Sequence, residues 1–343
     1  MACLLAKVDK PEVDVRKPYT EIGTPDAFSG RGYDEQYITA FVIEHELPCN
    51  TTTAFLTPAL RNRNMTLTPD LNLVGRPPRL YKSTLDLLTE VYEGNVSAED
   101  LLTETIRCLI QLRDEQRLRM ESLLAQLQLK DDSVPLSAEG IVTLIQQHLA
   151  SPRSSRLPVL IVVAAYTAAA AHLGERVLPL QSHNAADKQT GSLGDVEITL
   201  LADDNVITSY EMKDKPVTQN DINNALAKVT NFYRQFARRI DNYIFITTDR
   251  IDLAVQEYAA SLYEKTGGIE FVILDCIAFL RHFLHLFHRL RMHFLEAYQA
   301  LVLAEQESAV SQPLKEAFLA LRRAAESQAA ESLFPEEGEE LPD

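Results

Sequence analysis

The spacing of apolar and polar positions changes along this 343-residue chain, and each change marks a predicted element. Between residues 83 and 149 apolar positions recur three and four apart, the helical period. One helix is expected to open at Ser83-Thr84-Leu85-Asp86. A second opens at Ser97-Ala98-Glu99-Asp100, a capping pattern, and runs to about Leu129, and a third begins at Ser137-Ala138-Glu139. Further upstream, Ser29 or Asp34 is placed to cap a helix reaching about Glu46. Residues 157–173 are apolar nearly all round and rich in alanine, which predicts a buried helix rather than a membrane span.

The period then drops to two. Val196, Ile198 and Leu200 alternate with Asp195, Glu197 and Thr199. After Asp203-Asp204-Asn205, Val206, Tyr210 and Met212 alternate with Ser209, Glu211 and Lys213. This is the signature of a β-hairpin. Paired strands must present their apolar sets to one face, so even positions pair with even positions and the loop has an odd length. A three-residue loop at 203–205 satisfies this, and sets Asp195 opposite Lys213 and Glu197 opposite Glu211. Around the hairpin lie a short strand at 177–180, a helix from Thr218 to about Arg239, and a strand at 243–248. A helix near 252–265, a strand at 269–274, a long helix over 276–306 and a last one over 313–330 follow. The class is α/β (α+β): a mixed central sheet flanked by helices, after a mostly helical N-terminal region.

Punctuation divides the chain. Pro11, Pro18 and Pro25 break residues 1–27, read as an extended arm. Ser151-Pro152-Arg153-Ser154-Ser155 is a polar linker that separates a helical region, 28–150, from a core, 151–310. Residues 311–343 form a terminal helix and acidic tail. The net charge of −16 argues against a protein that coats nucleic acid. Seven acids (Glu326, Glu331, Glu336, Glu337, Glu339, Glu340 and Asp343) lie beyond the last base, Arg323, in a tail expected to stay disordered. Binding depends on the local field of a cleft, so the total charge does not exclude an enzyme acting on DNA. Cys3, Cys49, Cys108 and Cys276 form no C-x-x-C pair and imply neither a zinc site nor a disulfide framework. With no apolar run of membrane length and no signal-peptide pattern in the first residues, a cytoplasmic location without membrane contact is expected.

The chemistry concentrates in the hairpin. Asp195, Glu197 and Glu211 share one face with Lys213, and like charges across a ladder repel. A divalent cation such as Mg2+ would reverse that repulsion, because it takes carboxylate oxygens as ligands. Lys213 would place a water or stabilise a developing phosphate charge. The same residues also fit a solvated hairpin face. An acid, a gap of fifteen residues and then Glu211-Met212-Lys213 resembles the PD-(D/E)-x-K nuclease motif, with Gly194 where the motif has proline.

Five stretches together resemble the SacI-type restriction endonuclease family: S-G-R-G-Y at 29–33, L-P-C-N-T-T-T-A-F-L-T-P-A-L-R at 47–61, S-R-L-P-V-L at 155–160, H-N-A-A-D-K-Q-T-G-S-L-G-D-V-E-I at 183–198, and Y-E-M-K at 210–213. The resemblance spans roughly residues 28–280. It implies a restriction-endonuclease-like core and a type II enzyme that cuts double-stranded DNA at a short palindrome with Mg2+. GAGCTC is the default site, the enzyme a homodimer, and a companion DNA methyltransferase the protector of the host. Carried across, Asp195 and Glu211 ligate Mg2+, with Glu197 and Asp187 as further ligands, and Lys213 stands by the attacking water. DNA contacts are assigned to Arg31, Thr52, Arg61, Arg63, Arg76, Arg79 and Lys215, since hydroxyls and guanidiniums suit phosphates and base edges. Two other readings stay open: a modification-dependent or repair nuclease of the same fold, and a non-catalytic DNA-binding protein with an inert hairpin. His282, His285, His288 and His293 read as one basic helix face, a candidate dimer surface, rather than metal ligands.

Overall fold

The computed structural model describes residues 1–50, 53–74, 78–128, 135–180, 193–235 and 239–333. Two compact units divide the chain, 1–121 and 122–343. The division falls inside a long helix, well before the polar linker at 151–155.

In the first unit, residues 1–27 are not an extended arm. Ala2–Asp9 is a helix, α1, and its Ala2, Leu4 and Ala6 are buried. Val13, Val15 and Tyr19 are buried as well. Pro11 and Pro25 stand in exposed turns, and the buried apolar residues between them outweigh the polar average of the segment. Ser29 accepts from the Gly32 amide (3.0 Å) and caps α2, Gly30–Tyr33. A π-helical turn, Asp34–Ile38, joins it to α3, Thr39–Glu44. The helix expected from Ser83 starts earlier, as α4 at Pro78–Tyr92. Arg79, one of the assigned DNA contacts, therefore lies on this helix. Leu85, Leu88 and Val91 turn its apolar stripe onto Leu4, Val15, Tyr19, Phe55 and Leu67. The capping pattern at Ser97 opens α5, Ala98–Gln128, where the Ser97 hydroxyl accepts from the Asp100 amide.

The second unit is built on a five-stranded sheet in chain order, β1 (Glu175–Val177), β2 (Val196–Leu200), β3 (Val206–Lys213), β4 (Arg239–Thr247) and β5 (Glu270–Asp275). The first two pairings are antiparallel and the last two parallel. The helix–strand alternation predicted for this half is thus present and in the predicted order.

Helices clothe both faces. On one side, α6 (Ala138–Leu149) and α7 (Leu157–Leu173) pack with α11 (Cys276–Leu286) and α12 (Arg291–Ala304). Nine consecutive residues of α7, Leu157–Ala165, are buried, as its all-round apolarity requires. Tyr166 of α7 reaches the sheet, its hydroxyl 2.8 Å from that of Tyr210. On the other side lie α8 (Gln219–Gln235), α9 (Leu253–Ala260) and α10 (Leu262–Thr266). Ile222, Ala225, Val229 and Phe232 of α8 meet Ile207, Tyr243, Phe245, Phe271 and Ile273 there.

Two helical expectations are corrected at the C-terminal end. The helix expected over 276–306 is broken at Phe287, where φ is −109° and ψ 44°. A single 3-10 turn, His288–Leu290, separates its two parts. The terminal helix α13, Gln312–Leu333, extends past Glu326. Glu326 is buried and accepts from Arg322 at 2.8 Å, so it packs and does not belong to a solvated tail. Residues 334–343 lie outside the described residues.

Candidate active site

The hairpin is present with the parity expected, but its register differs by two residues. Val196 pairs with Tyr210, Glu197 with Ser209 and Ile198 with Thr208. Beyond that pair the Asp195 amide bonds the Tyr210 carbonyl, so Asp195 lies beside Tyr210 and not opposite Lys213, and Glu197 faces Ser209 rather than Glu211. The connection is five residues, 201–205, instead of three. Thr199 donates its hydroxyl to the Asp203 carbonyl (3.0 Å) and the Asn205 amide donates to the Asp203 carboxylate (2.9 Å). These local bonds end the ladder before Leu201. Both lengths are odd, so alternation alone does not separate them.

Asp195 is held from both sides of its peptide. Its amide donates to the Tyr210 carbonyl at 2.7 Å, and its Oδ2 accepts from the Met212 amide at 2.7 Å. The strand-to-turn approach is so close that a Cβ on Gly194 would lie 2.4 Å from the Tyr210 carbonyl oxygen and 2.6 Å from Ser209 Oγ. This explains the glycine where the nuclease motif has proline: neither proline nor any other side chain fits there. The Asp195 carboxyl is open to solvent on one side and crowded by protein on the other. Partial desolvation raises its pKa, and the Glu211 charge adds to the rise. The Met212 amide and the charges of Lys228 and Arg156 act against it.

Glu211 sits at the centre. Its Oε1 lies 2.8 Å from Lys213 Nζ and its Oε2 3.3 Å from Lys228 Nζ. The Tyr243 hydroxyl also bonds Oε2. Lys213 Nζ is 3.1 Å from Asp221 Oδ1 as well. Burial lowers the Lys213 pKa, but its bonds to Glu211 and Asp221 outweigh that, and the net shift is upward. Asp221 is itself fixed by a capping box at the start of α8. Its Oδ2 accepts from the amide (2.9 Å) and hydroxyl (2.6 Å) of Thr218, whose hydroxyl accepts from the Asp221 amide at 3.3 Å.

Asp195, Glu211 and Lys213 are thus brought together at the ends of β2 and β3. Glu197 faces the ladder and accepts from the Leu193 amide at 2.7 Å. Asp187 lies outside the described residues, as do Thr52 and Arg76. Among the described residues no three His, Cys, Asp or Glu side chains are grouped to hold a metal. Two neighbouring carboxylates still suit Mg2+, which takes one or two carboxylates and completes its shell with waters and substrate phosphate. The Asp195 Oδ1 atom accepts no hydrogen bond from the described residues, so one hard oxygen is available for such an ion.

The other described residues of the assigned set lie on the first unit and just beyond β3. Arg31 pairs with Glu35 at 2.7 Å. Arg63 donates to the Ala59 carbonyl at 2.9 Å. Arg61 and Arg79 are exposed, and Lys215 is exposed with its carbonyl accepting from the Thr247 hydroxyl at 3.2 Å. His285 pairs with Glu139 at 3.0 Å, beside Arg281.

Lys228, Tyr243 and Asp221 were not singled out by the sequence pattern. They stand on α8 and β4, next to Glu211 in space and far from it along the chain. The one local signal was Thr218-x-x-Asp221, which reads as a cap and gives no hint of a contact to Lys213.

Among the described residues no helix is long and apolar enough to cross a membrane. No curated protein matches the chain. Residues 135–247, about a third of the chain, match the family model of the SacI restriction endonuclease C-terminal domain, so the region that carries α6, α7, β1 to β4 and the charged cluster is similar to a restriction-endonuclease domain.

Proposed function

We propose that the chain is a type II restriction endonuclease of the PD-(D/E)-x-K kind, which hydrolyses double-stranded DNA at a short palindrome with Mg2+. The observation that carries this reading is the convergence of Asp195, Glu211 and Lys213 at one end of the hairpin, inside the stretch that matches a restriction-endonuclease domain. A bound Mg2+ would supply Lewis-acid polarisation of the phosphate and an activated water. Asp195 and Glu211 would hold that ion, Glu211 giving up one of its ammonium contacts. Lys213, a cation between two carboxylates, would orient the water and stabilise the phosphate as charge develops. Lys228 brings a second ammonium to the same carboxylate.

Sequence recognition is assigned to other residues, with Arg31, Thr52, Arg61, Arg63, Arg76, Arg79 and Lys215 as candidates. Arginine pairs with guanine edges in the major groove. A palindrome has two equivalent halves, so a two-fold homodimer is its natural reader. GAGCTC is the first site to try, and a cytoplasmic enzyme of this kind needs a companion DNA methyltransferase.

Digestion of unmodified plasmid with Mg2+ tests the reading. Discrete fragments support it. Cutting of modified DNA alone indicates the modification-dependent alternative, and binding without cutting under any divalent metal indicates a non-catalytic DNA-binding protein. Ca2+ is expected to permit DNA binding without cleavage, because it is larger and does not enforce octahedral geometry.

A further inference from the structure

The hydroxyl of Tyr243 touches two things at once. It lies 2.9 Å from the Leu193 carbonyl oxygen and also bonds Glu211 Oε2. A phenol has one hydrogen to give. A carbonyl only accepts, and an ionised carboxylate only accepts, so one proton serves two acceptors. The two acceptors belong to different arms of the site. Leu193 is two residues before Asp195, and Glu211 is the second acid of the site, on β3.

The ring that carries this hydroxyl is immobilised. Tyr243 is fully buried in the core under α8. It stacks on Phe271 with centroids 5.6 Å apart and lies against Phe245 at 5.3 Å. The hydroxyl position is therefore fixed by the packing of its ring against β4 and β5 neighbours. The Leu193 peptide is fixed at its other end as well, since its amide donates to Glu197 Oε1 at 2.7 Å.

We infer that Tyr243 is a positioning residue of the site: its hydroxyl ties the 193–195 turn to Glu211 and so sets how the two acids stand to each other. The inference rests on the nuclease reading given above. With Glu211 engaged by a divalent cation, the same hydrogen would turn to the Leu193 carbonyl and would keep the turn bearing Asp195 anchored. Partners of metal-ligating side chains commonly govern affinity in this way.

The test is Tyr243→Phe, which keeps the ring packing and removes only the hydroxyl. Calorimetric titration of the full chain with Mn2+, without DNA, is expected to show about tenfold weaker binding. The Mg2+ concentration for half-maximal cleavage should rise by a similar factor, with the rate at saturating Mg2+ within about threefold of wild type. A purely structural tyrosine would lower the melting temperature without that split. Unchanged or tighter Mn2+ binding in the folded variant overturns the inference. Glu211→Ala is the control. If it binds Mn2+ as wild type does, the acids are not the metal site and the nuclease reading itself fails. If Glu211→Ala loses Mn2+ while Tyr243→Phe keeps full affinity, only the role of Tyr243 fails. Should the phenylalanine variant not fold, a crystal structure of the wild-type chain with Ca2+ decides. A Tyr243 hydroxyl within hydrogen-bond distance of the Leu193 carbonyl supports the tether, and one bonded to neither arm overturns it.

Discussion

Two polar clusters lie within the second unit, and they are built on opposite principles. At the first, His148 of α6 is fully buried, with Nδ1 3.0 Å from the Tyr298 hydroxyl and Nε2 3.0 Å from the Leu314 carbonyl. Since Leu314 can only accept, Nε2 carries the proton and Nδ1 accepts from Tyr298. Donors and acceptors match one for one and no net charge is present. At the second, two acids lie near each other, two lysines reach one of them, and a single phenolic hydrogen serves two acceptors. A matched neutral network specifies a core. A crowded charged one, exposed on one side, is arranged for something that arrives. The contrast explains why three aromatic rings, Tyr298, Phe294 and Phe318, seal the first cluster, while the second stands at the ends of strands.

The sharpest way to break this comparison is to show that the charged cluster is as inert as the neutral one. Asp195→Ala, Glu211→Ala and Lys213→Ala are each expected to cut DNA at least about a thousandfold more slowly, equivalent to about 4 kcal/mol of transition-state stabilisation. DNA binding in Ca2+ should survive in all three, and removing an acid near the phosphates would tighten it. Cleavage and gel-shift assays on the same preparations, with circular dichroism for folding, make the measurement. Wild-type cutting by folded Glu211→Ala and Lys213→Ala would remove the hairpin from the chemistry.

Next in size is an effect on stability confined to the neutral cluster. Burial lowers the His148 pKa to about 4, against an ordinary 6.5. Above pH 6.5 both folded and unfolded states hold a neutral ring, and the stability is fully present. As the pH falls, the unfolded chain takes up a proton that the folded core refuses, so stability is lost between 6.5 and 4. The loss amounts to about 3 kcal/mol by pH 4. Urea unfolding across that range should show a steeper decline in the wild type than in His148→Phe. The variant itself should start about 3 kcal/mol lower, because Tyr298 and the Leu314 carbonyl lose their partner. Equal slopes would mean that His148 is not buried neutral.

A smaller effect is expected at Gly194. Gly194→Ala drives a Cβ into the Tyr210 carbonyl, and overpacking of that kind costs about 1–3 kcal/mol. The displaced turn carries Asp195, so cleavage should fall together with the melting temperature. A stable, fully active alanine variant would show that the turn has slack.

Gly194 also marks the limit of what the sequence reveals. The existence and order of α7 and β2 to β5, and the pairing of even with even positions, follow from periodicity, because each of these strands has an apolar face to bury; β1, Glu-Arg-Val, has none and shares only Val177 with the strand expected at 177–180. Asp195, Glu211 and Lys213 follow from spacing along a single hairpin. The register does not, since loops of three and five residues satisfy the same parity and only the bonds around Asp203 choose between them. The reason for a glycine at 194, and the presence of Lys228 and Tyr243 beside Glu211, depend on how α8 and β4 fold back over β3. Such contacts between distant elements leave no mark on local spacing. The packed N-terminal helix and the buried Glu326 escaped for the converse reason: averages over polar segments hide the few apolar or paired residues that anchor them.

The smallest expected effect lies at the joint between stability and chemistry. Asp221 uses one carboxylate oxygen for the cap of α8 and the other for Lys213. Asp221→Asn keeps an acceptor for Thr218 and removes the charge opposite the lysine. Because a neutral amide caps nearly as well as a carboxylate, the stability change should stay below about 1 kcal/mol. Lys213 keeps Glu211 at 2.8 Å, so it stays in the site with one anionic partner instead of two. Cleavage is then expected to fall only a few-fold, whereas Asp221→Ala, which removes the cap as well, should lose about 1 kcal/mol of stability. Thermal melts and cleavage rates of the two variants separate the contributions. If Asp221→Asn abolishes cutting as completely as Lys213→Ala, Asp221 belongs to the reacting cluster itself and the line between support and chemistry must be drawn one residue further into α8.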